Sequence, residues 1–181
     1  MKKYRIALFT VFALFFFAAC DEDLLDVEES FSFTVEVDVI TDESQFSATE
    51  VINLSDDVSL IDRYGNLIKE VSLDHIFVEI TDYDGDIDVT LITGSLSVMN
   101  VDGSSPQLIT NLGGLNLQDL VNNPTELELN AAGVEFLGEL AKTPPHSFML
   151  EYDVELDEED VPIMFTVEFE FTATMVANPL N

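Results

Sequence analysis

Phe31, Phe33, Val35, Val37 and Val39 alternate without a break against Ser32, Thr34, Glu36 and Asp38. A period of two puts the five apolar side chains on one face of an extended strand, whereas a helix would scatter them around its axis. The pattern returns at Phe148, Leu150, Tyr152, Val154 and Leu156. It returns again at Ile163, Phe165, Val167, Phe169, Phe171, Ala173 and Met175. Such a chain must bury one face of several strands against something else. The polar loop Asp157-Glu158-Glu159-Asp160 between the last two runs predicts a C-terminal antiparallel hairpin. Val154/Ile163, Tyr152/Phe165, Leu150/Val167 and Phe148/Phe169 would be its cross-strand pairs, and a two-residue shift would preserve the facing.

The middle of the chain reads similarly. Asp84-Gly85 suits a type I′ turn, and with that pair at the centre, paired residue numbers sum to 169. Ile80 then faces Val89 and Val78 faces Leu91. The apolar phase breaks near His75 in the first arm and at Gly94 in the second, and these two positions oppose each other. Leu73/Leu96 and Val71/Val98 match beyond them. The expectation is one long hairpin bent at a bulge or corner.

Two helical segments are predicted. Ser55 caps a short one running through Asp56, Asp57, Val58, Ile61 and Tyr64 to Gly65-Asn66. Asn130 caps a second from Ala131 to Lys142, with Val134, Leu137, Leu140 and Ala141 in one stripe and Thr143-Pro144-Pro145 as the stop. Gly133 and Gly138 lower its propensity, so it depends on packing against strands. Turn signals between Asn100 and Pro124 surround weak strands at Leu108-Ile109 and Leu115-Leu117. The fold expected is mainly β, an antiparallel β-sandwich with one or two short helices, forming a single domain over residues 30–181.

The N-terminus has a different character. Lys2, Lys3 and Arg5 precede an uncharged run of 14 residues, Ile6 to Ala19, which is the layout of a secretory signal over residues 1–19. As a helix it would extend about 21 Å, short of the roughly 30 Å hydrocarbon core of a bilayer. The run ends in Phe17-Ala18-Ala19-Cys20, and Cys20 is the chain's one cysteine, so no internal disulfide is available. This ending resembles the lipobox of bacterial lipoproteins, with Phe17 where leucine is usual. The resemblance implies a diacylglyceryl group on the Cys20 thiol, cleavage before it and acylation of the new amino terminus. Palmitate-like chains of that kind hold a protein stably to a membrane. Asp21-Glu22-Asp23 is similar to the acidic export signal of surface lipoproteins of the Bacteroidota, which implies an outer-membrane anchor and exposure at the cell surface. In proteobacteria an aspartate there instead resembles an inner-membrane retention signal, so a periplasm-facing protein is the alternative. Asp21 to Glu29 carries six carboxylates in nine residues and is expected, with Cys20, to be a tether over residues 20–29.

The 162 residues after the signal carry three basic side chains against 36 acidic ones, a formal net charge of -33. Such a surface repels phosphate backbones, so no nucleic-acid partner is expected. Asp82, Asp84, Asp86 and Asp88 alternate around Gly85 in the manner of a calcium loop. Ile87 replaces the glycine such a loop needs, and Thr93 replaces its closing glutamate, so a solvated hairpin tip is the plainer reading. No cofactor is expected apart from that candidate Ca2+. Neither His75 nor His146 has a visible sequence partner, and no glycine-x-serine-x-glycine elbow or phosphate loop occurs. Tyr83 is the one candidate for an exposed glycan platform. The expectation is a non-enzyme: a lipid-anchored structural or protein-interaction module of the cell envelope, with other envelope proteins as partners. The alternative is a calcium- or glycan-binding surface module using the Asp82 to Asp88 tip.

Overall fold

The computed structural model describes residues 26–41, 44–84, 89–157 and 163–180. It is mainly β, with two four-stranded antiparallel sheets packed as a sandwich. In chain order the strands are β1 Val27–Thr41, β2 Gln45–Asn53, β3 Ile68–Asp84, β4 Leu91–Met99, β5 Gln107–Asn111, β6 Thr125–Glu126, β7 Ser147–Leu156 and β8 Ile163–Ala177. The helices are α1 Leu54–Asp57, α2 Ser59–Tyr64, α3 Leu117–Leu120 and α4 Ala131–Lys142, with a 3-10 turn at Gly65–Leu67. One sheet runs β1-β8-β3-β6 and the other β2-β7-β4-β5.

The period-two runs form strands with the expected faces inward. Phe33, Val35 and Val39 of β1, Phe148 through Leu156 at alternate positions of β7, and Phe165 through Met175 at alternate positions of β8 are buried. Phe33 lies opposite Phe171 within its sheet, and their rings stack at 4.7 Å. It also meets Phe148 of the other sheet edge-on at 6.3 Å. Offset and edge-on contacts of this kind add to the area buried.

The strand partners differ from both predicted hairpins. β7 and β8 do not pair: β7 lies between β2 and β4, and β8 lies between β1 and β3. β3 and β4 also sit in different sheets. Two inward-facing strands match apolar with apolar whether they hydrogen-bond or face each other across the core, so that matching cannot choose between the two arrangements. The phase break near His75 is real: the register of β3 against β8 slips between Leu73 and His75, and the Asp74 carboxylate accepts from the Thr174 hydroxyl at 2.7 Å. In β4 the slip falls between Leu91 and Thr93, ahead of Gly94.

β2 was not marked by the alternation, because Glu50 interrupts the inward series Phe46, Ala48, Ile52. Leu115-Leu117 is not a strand; Asn116 makes a single bridge to Thr90, and α3 begins at Leu117. β1 begins at Val27, so Glu28 and Glu29 of the expected tether are strand residues. α1 is preceded by Asn53 in place of the expected Ser55, and the Asn53 side chain donates to Asp56 at 2.7 Å.

Helix α4 occupies its predicted span, with the Asn130 side chain accepting from the backbone of Ala132 and Gly133. Its two glycines sit where the helix meets strand backbone. A Cβ at Gly133 would overlap the Leu108 carbonyl of β5, and one at Gly138 would overlap the Val71 carbonyl of β3. The helix therefore rests directly on the backbone of both sheets and closes the sandwich along the β3/β5 side.

Candidate functional site

The opposite side has no such cover. β1 and β2 are edge strands that barely touch, and the sheets part between them into a narrow crevice with room for little more than a water molecule or two. Val35 and Val37 of β1, Ala48 of β2, Leu150 and Tyr152 of β7 and Phe169 of β8 wall it. The inward phase of β2 that supplies Ala48 also supplies Glu50, whose place in the strand is opposite Leu150. An inward position on a closed sandwich would bury that carboxylate at great cost. Because the crevice is open there, Glu50 stays exposed and lines its rim.

Tyr152 is 2% exposed, with its ring edge-on to Phe169 at 5.7 Å and tilted against Phe46 at 6.0 Å. Its hydroxyl is sealed from solvent and has no hydrogen-bond partner among the described residues. Burial pushes the phenol well above its ordinary titration range, so it stays protonated and neutral. The crevice thus combines apolar walls with a carboxylate at the entrance, while the Tyr152 hydroxyl is sealed beneath the surface. The signal that could have found it is a charge in the inward phase of a short strand.

The acidic faces of the two sheets are built differently. On β8, Glu168 is in register with Glu36 of β1 on one side and Glu79 of β3 on the other. Its carboxyl is held above the usual range by desolvation first, then by the charges of Glu79, Glu36 and Glu170. On β7, Glu151, Asp153 and Glu155 are flanked in register by Thr49 and Ser97, Ser47 and Ser95, and Gln45 and Thr93. The Thr93 hydroxyl donates to Glu155 at 3.3 Å. Repulsion between carboxylates in register is therefore located on the β1-β8-β3 face. Among the described residues no three His, Cys, Asp or Glu side chains are placed to hold a metal ion.

The other sequence candidates are dispersed. Asp82 and Asp84 end β3, while Asp86, Asp88 and the lipidation candidate Cys20 lie outside the described residues, as do Glu158 to Asp160. Asp157 is described, and its side chain accepts from the Thr90 backbone at 2.9 Å. Tyr83 is half-buried and packs against the core, so it is not an exposed platform. Both histidines have partners. His75 Nδ1 lies 2.6 Å from Glu126 on the surface, and His146, 5% exposed, lies 2.8 Å from the Ala141 carbonyl.

The three basic side chains of the body gather where the chain enters it. Arg63 is 4.0 Å from Glu29, Lys69 is 2.9 Å from Asp26, and Lys142 is 2.7 Å from Glu139. Lys69 and Lys142 line one hollow. At the other pole the strands end in Thr41, Asp84 and Leu156, and carboxylates dominate the sequence beyond each.

No known protein family matches the chain, and no curated protein does. A solved chain of Desmodium yellow mottle tymovirus is similar at 11% identity and a TM-score of 0.34, over 86% of this chain and 91% of that one. The likeness is too slight to bear on fold or function.

Proposed function

We infer that this chain is a lipid-anchored, non-catalytic protein of the bacterial outer envelope, a structural or protein-interaction module displayed at the cell surface. The observation that carries the reading is the position of β1. Cys20 precedes Val27 by a few residues, about 20–25 Å of chain at full stretch. Val27 enters the sandwich at the pole where Arg63, Lys69 and Lys142 gather. An anchor on Cys20 would set that pole, with its three basic side chains, toward lipid phosphates and turn the pole where β1, β3 and β7 end outward.

The test is Cys20→Ser with cell fractionation, together with mass spectrometry of the leading peptide of the mature protein. The anchor reading requires the wild type in the membrane fraction with an acylated cysteine, and the variant released. An unmodified leading peptide overturns it. Protease shaving of intact cells tests surface display separately, and full protection would place the protein on the periplasmic side.

A further inference from the structure

We propose that the free edge of β1 receives an extended segment of another protein, added as one more strand to the β1-β8-β3 sheet, with a Lys or Arg of that segment beside Glu36. The inference rests on the interaction-module reading above and names its surface and the chemistry of its partner. β1 is 15 residues long and pairs with β8 from Val27 to Thr41 without a shift of register. Its other side has no strand neighbour among the described residues. Alternate backbone N–H and C=O groups of a strand point to each side, so this edge presents an unbroken row of groups able to accept a strand.

The remaining edges are guarded. β6 has two residues and β5 has five. β2 carries Glu50 in its inward phase, where an added strand would bury a charge. β1 has no such device: its inward phase is Phe31, Phe33, Val35, Val37 and Val39, and the strand contains no proline. An added strand would also extend cover over Phe31 and Val37, which the sandwich leaves partly buried.

Charge selects the occupant. Glu79, Glu168 and Glu36 stand in one row across β3, β8 and β1, and the next position in that row belongs to the added strand. A cation there offsets the repulsion, whereas a carboxylate adds to it. Asp38, two positions on, favours the same sign. Ile40, two further on, is 75% exposed beside Met164 at 47%, and offers an apolar contact. A second copy of β1 fits poorly, because the strand has four carboxylates and no basic residue.

The probes are the heptapeptide Ile-Val-Lys-Val-Lys-Val-Thr, which in antiparallel register sets its lysines beside Asp38 and Glu36, and a copy with glutamate for both lysines. The full chain as purified from cells is titrated with each, and amide hydrogen exchange is followed by NMR. The lysine peptide should bind saturably and slow exchange at alternate residues of β1, with the glutamate peptide roughly tenfold weaker or more. Protection at every second residue separates strand addition from loose attraction of a cation to an acidic surface. N-methylation of alternate peptide residues should abolish binding on one edge of the peptide and spare it on the other, with the protein itself unaltered. Glu36→Lys should bring the two peptides to within about threefold of each other. Binding without alternate protection, equal affinity for the two peptides, or equal tolerance of both N-methylated series would overturn the proposal. So would protection of β1 by self-association without peptide, since the occupant would then be a second copy. Failure of the anchor reading would appear in cell fractionation and leave these measurements unchanged, so the two fail separately.

Discussion

Glu168 stands directly opposite Glu36 on one neighbouring strand and Glu79 on the other. Its carboxyl titrates above its ordinary value, so the folded state holds a proton that the unfolded state has already released. The group therefore costs stability as pH rises above the unfolded carboxylate range, with the full cost above the raised folded value and none below the unfolded one. Glu168→Gln should raise stability at pH 7 by about 0.5 kcal/mol, a small figure because the group is largely solvent-screened. The gain should disappear near pH 4 and shrink in high salt, as measured by urea midpoints. An equal gain at both pH values would contradict the charge account.

Replacing Gly138 with alanine improves helix propensity by about 1 kcal/mol. The new Cβ would overlap the Val71 carbonyl, so α4 must lift from the sheet. Gly138→Ala and Gly133→Ala are each expected to destabilise by about 2 kcal/mol net. Calorimetry showing either variant more stable than wild type would remove the close-contact explanation.

Asn130→Ala removes a side chain that caps two backbone N–H groups and should cost about 1 kcal/mol. Ser55→Ala, at the position the sequence marked as a cap, should stay within about 0.5 kcal/mol, because the residue preceding α1 is Asn53. Chemical denaturation of the pair distinguishes the two roles.

Glu50 holds a charge in the inward phase of an edge strand, a device that discourages one sheet edge from pairing with another. Glu50→Val should leave the monomer fold intact and shift the protein toward dimers or larger species in analytical ultracentrifugation. A purely monomeric variant at high concentration would argue that β1 and β2 are protected in another way.

The faces of the strands were legible because burial of one side imposes a period of two whatever the partner. Phe33, Phe148 and Phe169 all point inward as their alternation requires. The partners were not legible. Asp84-Gly85 indicates only that the chain reverses, and a reversal into the facing sheet satisfies the same apolar matching as a hairpin. The break at His75 was a true irregularity, read against the wrong neighbour. Asn130 and the prolines bounded α4 correctly, whereas Gly133 and Gly138 looked like weaknesses until the carbonyls beneath them were located. The crevice was hidden for a similar reason: Glu50 made β2 look less like a strand, and Tyr152 counted only as one more core ring.

β8, which follows the other described strands in the chain, is the one on which both β1 and β3 depend, and Val27 finds its neighbour in Ala177. β1 thus has no hydrogen-bonded neighbour among the described strands until β8 has been made. Closure of that sheet is thereby deferred during translation until a segment distant in the chain has emerged.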